Sequence, residues 1–186
     1  MEGIKTISNG GIEERVGNEK SGCIEQDTLG LKLDLKFREF KVGQTFKSRI
    51  LIDKDDFQKY ISFAKTKNIL HEKPELAAKE GIKGTLLPGR AIIARAEGEM
   101  TRLDIFSDSI MLLYGMDGDP NWDNRHTRFM GEVYAGDELE VEYSISNKVE
   151  GNSEKYGILS IDLQIRRISD NKLVIVSRRN LYRIEK

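Results

Sequence analysis

Two histidines, His71 and His126, are the only ones in this 186-residue chain, and histidine is the side chain that changes charge near neutral pH. The polar chemistry gathers around the first of them, in the stretch that carries Thr66, Asn68 and His71. A threonine hydroxyl hydrogen-bonds water but accepts no proton at neutral pH. Asn68 suits a turn held by side-chain to backbone bonds, and read by itself His71 is a histidine of a surface loop. Downstream, Pro88-Gly89-Arg90 marks the start of a helix. Its first N–H groups lack intrahelical acceptors and sit at the positive end of the helix dipole, an arrangement suited to an oxygen that gathers negative charge. Gly89 permits close approach there.

Other reactive types fit structural roles better. Glu97 and Glu99 lie on a charged helix face, where ion pairs with Arg95 or Arg102 at helical spacing are the expected use; Glu97 is held as a reserve acid–base candidate. The loop from Asp117 to Asp123 imitates the first positions of a calcium loop. It has Trp122 where the sixth-position glycine belongs and Arg128 where a bidentate glutamate belongs, so no metal site is expected. Trp122 is expected to pin this loop to the core, and His126 to be a solvated residue among Arg125 and Arg128. No CxxC, HExxH, GxSxG, Walker or Rossmann glycine pattern occurs, which leaves zinc sites, hydrolase elbows, P-loops and dinucleotide folds without support.

Lys and Arg number 30 against 31 Asp and Glu, with the signs interleaved along the chain, and that balance argues against a nucleic-acid partner. Apolar residues make up 38%, enough for a packed core. The single cysteine, Cys23, forms no intramolecular disulfide, and the start MEGIKTISNG lacks the pattern of a signal peptide. A cytoplasmic location is expected. No apolar run approaches the ~18 residues that span a bilayer, so no membrane partner is expected either.

The elements that must position these residues follow from periodicity. Residues 1–30, rich in glycine and charge, read as an irregular or flexible segment, and 31–186 as a single domain. Alternation from Leu31 to Phe37 and from Thr45 to Ile52 predicts strands. Asp53 opens a short amphipathic helix to about Ala64, followed by a loop, a short helix from about Pro74, and another loop. From Pro88 to Leu103 the residues Ile92, Ile93, Ala96, Met100 and Leu103 share an arc of about 100°, with Ala91, Ala94 and Gly98 as a small-residue strip beside it. Three period-two segments, around Leu139–Ile145, Leu159–Ile165 and Leu173–Tyr182, close the chain as antiparallel neighbours. The class is α+β: a long central helix against a curved antiparallel sheet.

The stretch FAKTKNILHEKPELAAKEGIKGTLLPGR, from Phe63 to Arg90, together with MGEVYAGDELEVEY, from Met130 to Tyr143, resembles the MaoC-like acyl dehydratases of the hot-dog fold, among them the (R)-specific enoyl-CoA hydratases. The likeness runs from about Val42 to Ile184 and rests on three signals in order: Asn68-x-x-His71 followed by Pro74-Glu75 and Ala77, Leu87-Pro88-Gly89 before the central helix, and Gly136-Asp137 before an alternating strand. Where that family carries an aspartate, five residues before the histidine, this chain has Thr66. Ile69 stands for a common proline and Lys73 for a frequent acidic residue.

The resemblance implies reversible hydration of an enoyl thioester. His71 would be the acid–base, Thr66 or Asn68 would position water, and the backbone near Pro88, Gly89 and Arg90 would hold the thioester oxygen. It implies an acyl-CoA or acyl-carrier thioester as substrate, no cofactor, and a homodimer with pockets at the interface. An alternative to an ordinary turn surface for the arginines near His126 is contact with coenzyme A phosphates, and the alternative to pinning the loop for Trp122 is to shelter an acyl chain. Two other readings stay open: a hot-dog thioesterase, and a homologue that binds acyl thioesters without transforming them.

Overall fold

A computed structural model describes residues 36–106, 109–116 and 126–186. The segment 1–30 with Cys23, the alternating residues 31–35, Arg125 and the whole calcium-like loop with Trp122 lie outside the described residues. Strand β1, Thr45–Leu51, leads into helix α1, Lys54–Ala64. Asp53 caps that helix as its sequence predicts, its carboxylate accepting the Asp56 N–H at 2.8 Å. Ala64 is the last helical residue because Lys65 turns left-handed, φ 53°, and sends its N–H back to Ile61 O.

Two single-turn helices follow, α2 at Ile69–Glu72 and α3 at Pro74–Ala77. The sequence reading makes the first of these a loop; Asn68 supplies the missing signal, since its Oδ1 accepts from Leu70 N at 3.0 Å and starts a turn of helix. Helix α4, Gly89–Met100, is the central one. Pro88 serves as its N-cap rather than its first helical residue. The helix also stops before Leu103: Thr101 donates its hydroxyl to Gly98 O at 2.7 Å, and the chain folds over through turns that still bury Leu103 and Phe106.

The remaining strands are β2 at Met111–Met116, β3 at Thr127–Phe129, β4 at Glu138–Val149, β5 at Tyr156–Arg167 and β6 at Lys172–Glu185. They form one antiparallel sheet in the order β1-β4-β5-β6-β2, with β3 also on β6 beyond β2. Period two fixes which residues face the helix. Val141, Tyr143 and Ile145 of β4, with Ile161, Leu163 and Ile165 of β5, are buried against Ile92, Ile93, Ala96 and Met100 of α4 in one core. Beyond apolar contact, Tyr143 ties the layers together. Its hydroxyl donates to Ala96 O at 2.8 Å and lies 3.0 Å from Ser48 Oγ on β1.

Two expectations about faces need correction. Ala94 and Gly98 are exposed, and a β-carbon on Gly98 would meet nothing within 4 Å, so only Ala91 of the small-residue strip packs within the chain. Glu99 is buried despite its place on the charged arc, because Arg95 one turn earlier pairs with it at 2.7 Å. Strands β4 and β5 have bonded neighbours on both sides, and β1 and β2/β3 hold the edges. Among the described residues, no helix is long and apolar enough to cross a membrane.

Candidate active site

The residues around His71 are assembled by a short strand-like crossing. Leu86 bridges Tyr134, Leu87 N donates to Val133 O at 2.9 Å, and Ala135 N donates to Thr85 O at 2.9 Å. This crossing fixes Thr85–Leu87 as the rigid lead into Pro88 and α4. His71, half-buried in α2, places Nδ1 2.9 Å from Leu86 O, and its ring lies edge-on to Phe57 at 6.5 Å between centroids. A carbonyl only accepts, so Nδ1 carries the proton in this contact and the neutral ring keeps its lone pair on Nε2. The loop histidine is thus bonded to the strand residue three positions before Gly89, within ~11 Å of chain.

Thr66 is half-buried beyond the end of α1, its N–H donating to Ile61 O at 3.3 Å. Asn68 is exposed, and its side-chain oxygen is engaged in capping α2. Thr66, Asn68 and His71 therefore sit on one connected segment, with His71 alone of the three bonded to the lead of α4. At the helix start, Ala91 N is the first amide bonded back, to Pro88 O at 2.9 Å. The Gly89 and Arg90 amides precede it and have no earlier helical carbonyl to use. The Arg90 side chain is exposed.

Gly89 is needed for a reason the sequence does not reveal. A β-carbon at this position would run into the ring of Phe129, the last residue of β3. The close neighbour of Gly89 is therefore an aromatic side chain of the same molecule, half exposed at 52%. Phe129 lies 40 residues downstream of Gly89 with no motif around it, so only the pairing of β3 with β6 reveals the contact.

Glu97, the reserve candidate, accepts from the hydroxyl of Tyr182 at 2.9 Å. Burial, and then the adjacent Glu97 charge and the hydrogen bond to it, hold the Tyr182 phenol well above its ordinary range. This carboxylate is spoken for within the fold, two turns along α4 from Gly89. His126 is not loop-exposed as expected. It is half-buried at the start of β3, where its carbonyl accepts from Arg178 N at 2.7 Å.

No protein-family model and no curated protein matches the chain. Solved structures do. A monoamine oxidase regulatory protein from Archaeoglobus fulgius superposes with a TM-score of 0.68 at 18% identity, covering 82% of this chain and 95% of that one. An unliganded R-hydratase from Pseudomonas aeruginosa gives 0.61 at 19% identity, covering 81% and 84%. An (R)-hydratase from A. caviae involved in PHA biosynthesis gives 0.57 at 17% identity, covering 80% and 98%. The chain has the hot-dog fold. In hot-dog terms α4 is the central helix, β1, β4, β5, β6 and β2 form the sheet that wraps it, and the His71 segment is inserted between β1 and that helix.

Proposed function

We propose that the protein is a MaoC-like hydro-lyase that hydrates enoyl thioesters reversibly. The observation that carries this reading is the 2.9 Å bond from His71 Nδ1 to Leu86 O, which orients an acid–base group beside the lead of the central helix. Hot-dog neighbours described as (R)-hydratases support it, as does a neighbour described as a 3R-hydroxyacyl-ACP dehydratase complex from Mycobacterium tuberculosis.

In this mechanism His71 Nε2 takes a proton from water as the oxygen adds to the β-carbon of the enoyl group. The electrons of the double bond move toward the thioester carbonyl. Its oxygen gains negative charge and is held by the amides at Gly89 and Arg90, at the positive end of α4. The imidazolium then returns its proton to the α-carbon, so water is added across the double bond and the enzyme is restored. Thr66 or Asn68 positions the water. The reaction needs no cofactor, and the carrier is coenzyme A or an acyl-carrier protein.

A second copy of the chain completes the assembly along the β2/β3 edge. Leu112, Leu113 and Phe129 are exposed there, with Ile110 and Met130 flanking them.

The deciding measurement is loss of enoyl absorbance from crotonyl-CoA, with a thiol reagent in parallel. Hydration removes the absorbance without releasing thiol, and His71→Ala slows it by about 10²–10⁴-fold. Thiol release would instead identify a thioesterase. Binding without either change would identify a homologue that recognises acyl thioesters without transforming them.

A further inference from the structure

On the outer face of the sheet, opposite α4, the two strands that flank β5 are both bulged at one level. In β4 the register slips between Ile145 and Asn147 against Ile161 and Ser160. In β6 it slips between Ser177 and Asn180 against Leu163 and Ile161. Along the edge of β6, β2 ends opposite Asn180 and β3 begins opposite Ser177, so the edge pairing is interrupted at the same place. Asp162 stands at the centre. Its Oδ1 accepts from Ser146 Oγ at 2.9 Å on one bulge and from Arg179 N at 2.8 Å on the other. Arg179 is left-handed there, φ 55°, a conformation that glycine or asparagine would occupy at less cost. β-Bulges concentrate where a sheet must re-aim side chains. Here the β6 bulge carries Arg178 and Arg179.

The result is a cleft of about 550 Å³, inside the ~300–1,000 Å³ range of small-molecule sites. Its lining is mostly polar: the hydroxyls of Ser144 and Ser160, the amide of Gln164, and Arg178 and Arg179, with His126 and Leu181 beside them. The cleft carries one carboxylate, Asp162, whose Oδ1 already accepts two hydrogen bonds, and two arginines. The sheet separates the cleft from the helix start, because Tyr143, Ile161 and Leu163, which alternate with these residues, point into the core.

We infer that this outer cleft binds a small organic phosphate. The guanidinium of Arg178 would take the phosphate oxygens through its planar fork, and the serine and glutamine groups would take the hydroxyls of the organic part. The inference stands apart from the hydro-lyase reading.

Isothermal titration with pyrophosphate as probe and sulfate as comparison tests it on the full chain. Saturable pyrophosphate binding is expected, weakened about tenfold or more by Arg178→Ala and less by Arg178→Lys, which keeps the charge without the fork. The Arg178 side chain is exposed, so an unchanged unfolding curve is expected for both variants. Ser144→Leu keeps every charge but puts a bulky apolar group in the lining, and it should weaken binding of a sugar phosphate or a nucleoside monophosphate, whichever of the two binds more tightly. Equal binding of pyrophosphate by wild type and Arg178→Ala, or of the organic phosphates by wild type and Ser144→Leu, would overturn the inference.

Discussion

The ring of Phe129 lies against the α-carbon of Gly89 so closely that no β-carbon fits between them. Gly89→Ala should therefore destabilise the fold by about 1–3 kcal/mol, the usual cost of overpacking. In a Phe129→Ala background the obstacle is gone, and the intrinsic advantage of alanine over glycine in a helix, up to ~1 kcal/mol, should reverse the sign. Urea unfolding of the four proteins of this cycle measures the coupling directly. Equal destabilisation by Gly89→Ala in both backgrounds would show that the glycine is required by the backbone and not by Phe129.

Much of this architecture is legible in the sequence because it rests on local periods. The Asp53 cap, the Ile92–Ile93–Ala96–Met100 arc and the last three strands are all found where alternation or helical spacing puts them. What escapes is set by tertiary partners. The Glu99–Arg95 ion pair sits where helical spacing predicts it, but the burial of Glu99 is not visible in that spacing. Leu103 keeps its apolar role after the helix has ended. The contact between Phe129 and Gly89, and the two bulges held by Asp162, join residues far apart in the chain and leave no local trace. For the site, the Asn68-x-x-His71 step and the Pro88-Gly89 helix start are visible as motifs; the carbonyl of Leu86 that links them is backbone and carries no residue signature.

Thr66 supplies a hydroxyl where the resembling family carries a carboxylate. It is half-buried on the same segment as His71, and Thr66→Asp leaves its backbone bond to Ile61 O available. If the hydro-lyase reading holds, the added proton acceptor should raise crotonyl-CoA hydration substantially, within the ~10²–10⁴-fold scope of general-base catalysis. An unchanged or lower rate, with His71→Ala still inactive, would mean that water is positioned in this pocket by other groups.

Tyr143 joins three elements through one oxygen, donating to Ala96 O on α4 and receiving Ser48 Oγ from β1. Both residues at its ends are buried. Tyr143→Phe keeps the ring and leaves Ser48 and Ala96 without this partner, so a loss of about 1–3 kcal/mol is expected in denaturant unfolding. Ser48→Ala in the same chain removes one of the orphaned groups and should recover part of that loss. A Tyr143→Phe protein as stable as wild type would show that the helix is held by apolar packing alone.

Tyr182 sets the alkaline behaviour of the fold. Burial, then the charge of Glu97 and the hydrogen bond to it, raise its phenol above the ordinary value of 10.0. A raised folded-state pKa means that the native state holds the proton more tightly than the unfolded chain. The associated stability is complete below the unfolded value and is lost progressively as pH rises through and beyond it. Above pH 10.0 wild type should lose up to about 1.4 kcal/mol per pH unit from this group. Tyr182→Phe removes the titrating phenol, so its stability should fall less steeply over the same range, although it starts lower because Glu97 has lost its donor. Denaturant unfolding at a series of alkaline pH values gives both slopes, and phenolate absorbance should show that Tyr182, compared with the Tyr182→Phe protein, ionises only as the fold opens. Identical slopes for the two proteins would mean that Tyr182 reaches solvent before it titrates.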